Sequence, residues 1–294
     1  MILVVGATGS LGSRVVKKLL KSGETVRAMT RDRSKADELK SRGAQIVLGD
    51  LTDPESLEFA VRGAKAVVAA AHGMLGRGEY SSKAVDDIGH RALIDAARKA
   101  GTEHFVYTSV LGAAPDHPVD FWRTKAKIER YLEDSRLTHT IVRPSAFMEI
   151  YAWELIGKPI AAGKRVMMLG PGTNKRNYIA ADDVANAVVL ALRIPELRGR
   201  VLDVGGPDNL TPREVVAIFE KVTGKRAKVS AMPLRVVRTV AGVMQRIHPG
   251  ISRIMKASVH SETTDQTFDA TLMRTKLPIG LTSVEDFARM RIRA

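Results

Sequence analysis

The sequence has 294 residues, of which 45% are hydrophobic and 27% are charged, an ordinary globular composition with enough apolar residues for a substantial core. It has no cysteine, which excludes disulfides, thiolate metal sites, iron–sulfur clusters and cysteine nucleophiles. A formal net charge of +14 favours polyanionic partners such as nucleotides, nucleic acid or an anionic membrane surface, but is equally compatible with a basic surface that binds nothing.

The first half of the sequence alternates short β-branched runs with amphipathic stretches. The runs that predict strands are 3–5, 25–29, 45–48, 66–70, 105–107 and 140–142. After the first run, one apolar helix face is predicted by Leu11, Val15, Val16, Leu19 and Leu20. Strands that alternate with helices imply right-handed crossovers and a parallel sheet. The predicted fold is therefore α/β, a doubly wound parallel-sheet Rossmann fold, with a small C-terminal substrate region.

A glycine-rich segment, GATGSLG at 6–12, lies between the first predicted strand and the first predicted helix. Glycine lets the backbone approach a pyrophosphate where a Cβ would clash, and the N–H groups and dipole of the following helix attract the anion. We therefore predict that a dinucleotide binds here. The residues predicted to contact it are Gly6, Thr8, Gly9, Ser10, Leu11 and Gly12.

The end of the second predicted strand indicates which nicotinamide cofactor to expect. A NAD-selective protein places a carboxylate there on the ribose diol, whereas an arginine fork suits the 2′-phosphate of NADPH. Arg31, Arg33 and Lys35 follow the strand, and Asp32 is the one acid among them, free to point away or to cap the next helix at Ser34. We predict NADPH (NADP+) as the cofactor, bound through Arg31 and Lys35. The alternative is a loop of solvated cations.

Several segments together resemble the short-chain dehydrogenase/reductase superfamily, and within it the atypical NmrA-like group. They are the GxxGxxG loop, GDLTD at 49–53, FVYTS at 105–109, Lys125 with Glu129, RPSAF at 143–147 and ADDVA at 181–185. The resemblance implies that Asp50 and Leu51 contact the adenine and that Lys125 holds the ribose. It also implies that Pro144 and Phe147 border the nicotinamide.

The active-site helix of that superfamily carries a tyrosine four residues before a lysine, and the tyrosine donates a proton as hydride reaches a carbonyl. Here Phe121 occupies the tyrosine position, Lys125 is retained, and Ser109 matches the first serine of the usual pair while Val110 replaces the second. Phenylalanine cannot donate a proton, so tyrosine-driven ketone reduction and sugar-nucleotide epimerisation are not expected. Lys125 and Ser109 are the remaining catalytic candidates.

Two functions are compatible with this helix. The first is NADPH-dependent reduction of a small hydrophobic conjugated acceptor such as a quinone or an enone, whose resonance-stabilised anion takes its proton from water or from Lys125. The second is a nonenzymatic NADPH-binding redox sensor or assembly factor. Lys125 serves both functions, because a lysine on the ribose also supports simple binding.

Other proton donors and metal ligands have little support in the sequence. Tyr80 lies in a glycine-rich loop over 72–82, and Tyr151 and Tyr178 fall near the expected cleft walls, but ordinary packing is the favoured interpretation of all three. His72 and His117 titrate near neutral pH, although loop histidines of this kind are usually surface residues. The seven histidines show no HExxH or paired spacing, so no metal site is expected.

Composition and breakers divide the sequence into four predicted segments. We expect an NAD(P)-binding Rossmann core over 1–145, a substrate-cleft segment over 146–176, a return to the core over 177–205, and a small substrate or docking region over 206–294. A strand at 201–204 is expected to rejoin the main sheet. Thr211-Pro212-Arg213-Glu214 has the form of a capping box at the start of a helix.

The segment 221–261 contains no carboxylate and nine lysines and arginines. After Pro233, apolar residues at helical intervals alternate with arginines, which predicts a basic amphipathic helix that ends at His248-Pro249-Gly250. Three roles are considered for the 234–256 region: covering the substrate cleft, docking on a membrane surface or protein, and contacting nucleic acid. The first is favoured, and nucleic acid is not expected because the segment has no aromatic residues.

The sequence also gives an expectation for location. A strand-like run begins at Met1, so no secretory leader is expected, and no apolar run approaches the ~20 residues that span a bilayer. Together with the absence of cysteine, these features lead us to expect a cytoplasmic protein.

Overall fold

The computed structural model describes residues 1–293, and the chain divides into two compact units. The first unit comprises Met1–Arg143 and Val184–Asp203. The second comprises Pro144–Asp183 and the chain from Val204 onward. Among the described residues, no helix combines the length and the hydropathy that are needed to cross a membrane.

Twelve strands occur in the described chain. They are β1 (Ile2–Val5), β2 (Val26–Thr30), β3 (Gln45–Leu48), β4 (Ala66–Ala69), β5 (His104–Thr108), β6 (His139–Pro144), β7 (Ala146–Phe147), β8 (Arg165–Leu169), β9 (Arg176–Ile179), β10 (Arg200–Val204), β11 (Asp208–Leu210) and β12 (Lys228–Met232). All six strands predicted for the first 143 residues are present, with bounds shifted by at most two residues.

Twelve α-helices occur in residues 1–293. They are α1 (Ser10–Lys21), α2 (Asp37–Ser41), α3 (Pro54–Val61), α4 (His90–Lys99), α5 (Asp120–Asp134), α6 (Lys158–Ala161), α7 (Ala181–Arg193), α8 (Pro212–Thr223), α9 (Leu234–Ile247), α10 (Pro249–Thr263), α11 (Thr271–Lys276) and α12 (Val284–Arg293). Segments of π-helix, Lys83–Gly89 and Glu149–Gly157, lead directly into α4 and α6.

The central sheet has seven strands in the order β10-β6-β5-β4-β1-β2-β3 within the described chain. The pairs from β6 through β3 are parallel, with Val5 opposite Met29 on one side and Ala69 on the other. The strand order reverses at β1, which has β4 and β2 as its neighbours, so the loops after β1 and β4 diverge there. This is the Rossmann arrangement predicted from the sequence, and β10 joins the sheet as expected.

One face of the central sheet packs against α3, α4 and α5. Leu3, Val67 and Phe105 of the strands share a buried core with Leu57 of α3 and Leu93 of α4. The alternate strand residues point to the opposite face. There α1 contacts β1 and β2 through its buried stripe, Val15, Val16 and Leu19. The helical periodicity read in the sequence therefore corresponds to a helix on the sheet.

The second unit is built on two small sheets and its own core. Its sheets have the orders β11-β9-β7 and β12-β8 in the described chain. Met148, Tyr178 and Phe219 belong to one buried cluster with residues of α12. Thr211 and Glu214 form the predicted capping box at the start of α8.

The unit boundaries differ in one respect from the segments expected from the sequence. The return to the Rossmann core was expected at 177, whereas the first unit resumes at Val184. The difference arises because β9 pairs with β7 and β11 in the second unit. The substrate roles assigned to 146–176 and 206–294 remain predictions.

Candidate functional site

The loop after β1 contains two positions where the turn and its packing leave room only for glycine. Gly6 has a φ of +78°, and a Cβ there would lie 2.8 Å from the backbone nitrogen of Ala71. A Cβ on Gly12 would lie 2.2 Å from the carbonyl oxygen of Gly6. Both contacts are too short for any side chain to fit, so these two glycines hold the turn and the first helix close against β1.

The N-terminus of α1 is free of side-chain caps. Gly9 is the N-cap residue, and the first turn contains no acidic side chain. Gly9 and Ser10 are exposed, whereas Leu11 is buried and Thr8 has its Oγ1 3.4 Å from that of Thr30. The first N–H groups of a helix have no intrahelical acceptor, and its dipole is positive at this end. The loop therefore has the free donors and the open side that bind a pyrophosphate.

Arg31 follows β2 and lies between an aromatic ring and a carboxylate. Its Cζ is 4.6 Å from the centroid of the Tyr80 ring, and its Nη1 is 3.9 Å from Oδ2 of Asp50. The side chain is 60% exposed, so its donors remain accessible. A guanidinium stacked on a ring keeps its edge free, which suits an incoming phosphate.

Asp32 caps the turn that follows β2. Its Oδ1 accepts hydrogen bonds from the backbone N–H of Ser34 at 3.0 Å and from the Ser34 hydroxyl at 2.7 Å. These hydrogen bonds lower the pKa of the Asp32 carboxyl. Lys35 is exposed, with its Nζ 3.9 Å from Asp32. Of the two positions that the sequence allowed for Asp32, the structure has the cap at Ser34.

The segment after β3 is ordered by Asp50. Its Oδ1 accepts from the backbone N–H and the hydroxyl of Thr52, both at 2.9 Å, and its own N–H donates to Ser56 Oγ. Leu51 is buried, and a Cβ on Gly89 would lie 2.6 Å from the Leu51 carbonyl oxygen. The loops after β1, β2 and β3 therefore share the carboxyl edge of one sheet, where dinucleotides bind in this fold.

Lys125 on α5 is buried against the end of β5. Its Nζ donates to the carbonyl oxygen of Thr108 at 3.0 Å and lies 4.8 Å from the ring centroid of Tyr107 and 5.5 Å from that of Phe121. Phe121 is buried one helical turn earlier. An aromatic ring without a hydroxyl thus occupies the position from which a tyrosine would donate a proton.

Burial and two carboxylates act in opposite directions on Lys125. Burial lowers the pKa of the Lys125 amine, while the negative charges of Asp86 and Glu129 raise it. Asp86 is fully buried and accepts from the Gly73 N–H at 3.0 Å and the Ser82 hydroxyl at 2.6 Å. Glu129 forms a bidentate ion pair with Arg143. The two carboxylates therefore offset part of the effect of burial on the pKa of the Lys125 amine.

Six buried side-chain nitrogen or oxygen atoms of the described residues have no hydrogen-bond partner. Four of them are the Tyr107 hydroxyl, Thr108 Oγ1, Ser109 Oγ and His90 Nε2. The His90 ring meets the edge of Tyr107, with centroids 5.4 Å apart, and its Nδ1 donates to the Val85 carbonyl. Burial lowers the pKa of His90 to about 4 and raises the pKa of Tyr107. Both groups are therefore neutral at physiological pH.

Sequence reasoning did not single out Asp86, His90 or Tyr107 as part of the site. Tyr107 lies within the FVYTS segment on which the family resemblance rests. The sequence around it does not indicate that its hydroxyl is unpartnered. Asp86 lies in a π-helical turn, which places its carboxylate beneath the 72–82 loop. A π-helical turn leaves no periodic signal in the sequence.

Pro144 and Phe147 lie in the second unit. Pro144 is the last residue of β6 and is buried, and Phe147 is the last residue of β7, paired with Ile179 of β9. Their predicted position at the nicotinamide stays a prediction.

Of the tyrosines and histidines considered as substitute donors, His72 lies edge-on to Phe121 with ring centroids 6.2 Å apart, and the others have different environments. Tyr178 is buried in the hydrophobic core of the second unit, and Tyr151 packs against the same cluster. Tyr80 lies over Arg31, and His117 stacks on Trp122 with ring centroids 5.1 Å apart. Within residues 1–293, no three His, Asp or Glu side chains come together as metal ligands.

Comparison with known proteins gives a family and several relatives. The model of the NmrA-like family matches residues 1–288. The NAD(P)H azoreductase of Xenophilus azovorans is 35% identical over 238 residues, which cover 80% of this chain and 78% of that protein. The photosystem II assembly factor Ycf39 of Guillardia theta is 30% identical over 239 residues, covering 80% and 74% of the two chains.

Solved structures share the fold. The NADPH-dependent quinone oxidoreductase QOR2 of Escherichia coli, solved in complex with NADPH, superposes with a TM-score of 0.80 at 21% identity, covering 99% of each chain. At this identity the likeness concerns the fold.

Proposed function

Because this chain belongs to the NmrA-like family, we propose that it binds NADPH and uses it to reduce a hydrophobic conjugated acceptor, such as a quinone or an enone. The observation that carries the proposal is the buried Lys125 beside Phe121, at the carboxyl edge of the same sheet that carries a glycine loop with free helix N–H donors. This arrangement provides cofactor binding and a single ammonium, without the tyrosine that ketone reduction requires.

The first unit fits the cofactor at three points. Ser10, Leu11 and Gly12 would present backbone N–H groups to the pyrophosphate, and the turn has no room for a side chain at Gly6 or Gly12. Arg31, stacked on Tyr80, would hold the 2′-phosphate, with Lys35 adding a second cation. Asp50 and Leu51 would lie along the adenosine, and Lys125 would hold the nicotinamide ribose. Pro144 and Phe147 are proposed to border the nicotinamide.

When bound, the cofactor supplies a hydride to the acceptor. Lys125 is proposed to orient the ribose and to give a proton from Nζ to the reduced acceptor, and burial favours that transfer because it destabilises the ammonium. The negative charges of Asp86 and Glu129 act against the effect of burial on the Lys125 pKa and favour the protonated amine before the transfer. Ser109 Oγ, which is buried and unpartnered among the described residues, would donate a hydrogen bond to the acceptor or the ribose.

A conjugated acceptor fits this set of groups better than a simple ketone. A simple ketone needs its proton during hydride transfer, whereas the anion of a quinone is resonance-stabilised and takes its proton later. Lys125 is the acid proposed at this end of β5, because burial raises the pKa of the Tyr107 hydroxyl and so makes it a weaker proton donor, His90 is neutral, and Phe121 has no donor. The name of the azoreductase relative, which describes reduction of a conjugated acceptor, is consistent with this choice.

The test is NADPH oxidation, followed at 340 nm, with quinones, enones, azo compounds and simple ketones as acceptors. We expect turnover with the conjugated acceptors and none with the ketones. Lys125→Met should lower the turnover number at least tenfold, because the one buried ammonium is lost. Lys127→Met is the matched control: its amine pairs with Asp87 at 2.6 Å on the exposed side of α5, so turnover should be unchanged. Ketone turnover at comparable rates would contradict the proposal.

A second candidate function is a nonenzymatic NADPH sensor or assembly factor. It is favoured by Phe121, which removes the usual acid, and by relatives such as the Ycf39 assembly factor. The same experiment separates the two functions. Tight NADPH binding without turnover of any acceptor would favour the sensor or assembly factor.

A further inference from the structure

An exposed aliphatic ridge runs along α9 and into the start of α10. Its members are Val236, Val243, Ile247 and Ile251, whose side chains are 41–64% exposed. Residues 236, 243 and 247 are seven and four positions apart, so at 100° per residue they lie within about 40° of one another around the helix. The three side chains of α9 therefore form one continuous stripe, which we call the α9 ridge together with Ile251.

The other side of α9 is fixed against α10. Val237 and Ala241 are buried in a small core with Met255. The hydroxyl of Ser252 donates to the Ala241 carbonyl at 2.8 Å. Lys256 Nζ donates to Gln245 Oε1 at 2.8 Å, so side-chain hydrogen bonds join the two helices in addition to the shared core. The helix thus has a packed side, and the aliphatic ridge is the side that remains exposed.

Cations flank the ridge and have no carboxylate to neutralise them. Among residues 1–293, Arg235, Arg238 and Arg246 have no ion-pair partner, unlike Lys221, whose Nζ is 3.0 Å from Glu285. Arg235 and Arg246 lie about 100° and about 80° from the centre of the ridge at 100° per residue, beside it on one flank, whereas Arg238 lies on the opposite side of the helix. The segment 221–261 carries nine lysines and arginines and no acid. An aliphatic stripe bordered by free cations is the pattern of a helix that lies in a membrane interface.

We propose that the α9 ridge docks this protein on the surface of an anionic lipid bilayer. The aliphatic side chains would enter the boundary between headgroups and acyl chains, and Arg235 and Arg246 would meet the lipid phosphates. This inference is independent of the proposed reduction, since none of these residues belongs to the cofactor site.

The composition of the segment favours lipid over the other polyanions and over a protein partner. Residues 221–261 include no phenylalanine, tyrosine or tryptophan, the side chains that stack on single-stranded bases and dominate protein interfaces. Valine and isoleucine on a convex helix offer no pocket or shape for a specific protein. The surface of an anionic bilayer is fluid and its negative charge is diffuse, so binding to it requires neither a pocket nor a defined shape.

The test is cosedimentation of the full chain with vesicles of phosphatidylcholine alone and of phosphatidylcholine mixed with phosphatidylglycerol. We expect binding to the anionic vesicles, weakened by salt, and little binding to the neutral ones. Arg235→Gln with Arg246→Gln should weaken the partition at least tenfold, as should Val243→Ser with Ile247→Ser. Lys21→Gln with Lys40→Gln removes two exposed cations of the first unit and is the charge-matched control, with little change expected.

The far-UV circular dichroism spectrum and the cooperative thermal unfolding of each variant serve as the check that it is folded, and NADPH binding is measured separately. The proposal is overturned if the wild-type chain does not bind anionic vesicles, if it binds neutral vesicles equally well, or if folded ridge variants bind as the wild type does. Binding to DNA or to a protein without binding to vesicles would also overturn it. A chain that binds vesicles but not NADPH would leave this inference standing and remove the proposed function instead.

Discussion

Arg31 is the residue on which the choice of cofactor depends. Arg31→Ala should weaken NADPH binding by about 1.5–3 kcal/mol, because charge-assisted hydrogen bonds to the 2′-phosphate are lost. NADH lacks that phosphate, so its affinity should change little. Titration of both cofactors with both proteins measures the difference. Equal weakening of NADPH and NADH would mean that Arg31 does not bind the 2′-phosphate.

Tyr80 should act through Arg31, because its ring lies 4.6 Å from the guanidinium. Tyr80→Ala should weaken NADPH binding by about 0.5–1 kcal/mol, the usual strength of an exposed cation–π contact, and leave NADH unaffected. Tyr80→Phe keeps the ring and is the control, with NADPH affinity close to that of the wild type. If the phenylalanine variant loses as much as the alanine variant, the hydroxyl rather than the ring is responsible.

His90 and His104 should make stability depend on pH. Burial lowers the pKa of each to about 4, below the ordinary value of 6.5, so the unfolded chain binds protons that the folded chain does not. The free energy of unfolding should therefore fall as the pH is lowered from about 6.5 to about 4, by roughly 1.4 kcal/mol per pH unit for each histidine.

Urea unfolding at several pH values checks this prediction. His90→Gln with His104→Gln should reduce the slope of stability against pH in that interval, whatever it does to stability at pH 7. The prediction fails if the slope of the double variant matches that of the wild type.

At the scale of single residues, the sequence indicates which side chains carry the chemistry better than it indicates which residues those side chains contact. Arg31 was identified because it directly follows the second predicted strand, and Lys125 because its helix resembles the active-site helix of the superfamily. Tyr80 was considered as a proton donor, yet its ring lies over Arg31, a contact between residues 49 positions apart in the chain. Asp86 and Tyr107 were missed because burial, and for Tyr107 a hydroxyl without a partner among the described residues, leaves no pattern of spacing in the sequence.

At the scale of elements, the glycine loop makes a prediction about stability. Gly12→Ala should destabilise the fold by about 2 kcal/mol or more, because its Cβ would lie 2.2 Å from the Gly6 carbonyl oxygen and the backbone would have to move. Gly242→Ala is the matched control: Gly242 is an exposed residue within α9 with open space around its Cβ position. That variant should gain up to about 1 kcal/mol from helix propensity.

Thermal or urea unfolding of the two glycine variants provides the comparison. A Gly12→Ala protein as stable as the wild type would show that the turn relaxes without cost, and the packing argument for that glycine would be wrong.

The elements that the sequence predicted well are those with strong local patterns. The six parallel strands, α1, α8 and α9 have clear periodicity or caps, and all are present. β7 has only two residues, and the β8–β12 pair joins Val166 to Val229 across more than sixty positions, so neither leaves a local signal. His248-Pro249-Gly250 was read as the end of α9, and Pro249 also begins α10, where proline at the first position is favourable.

At the scale of the whole molecule, the acid-free basic segment and the proposed cofactor residues belong to different units. Gly6, Arg31 and Lys125, which are proposed to bind the cofactor, belong to the first unit, and the acid-free segment 221–261 belongs to the second. The fold class followed from the alternation of strands and helices. The boundaries of the two units were predicted only in part. β9 lies in the segment that was expected to return to the Rossmann core, but it pairs in a small sheet of the second unit.

The most direct test of the central claim is the affinity of the wild-type chain for NADPH and for NADH, measured by calorimetric titration under identical salt. We predict one site per chain and NADPH bound at least tenfold more tightly than NADH, because only NADPH carries the phosphate that Arg31 and Lys35 are placed to hold. Failure to bind either cofactor, or equal or tighter binding of NADH, would contradict it.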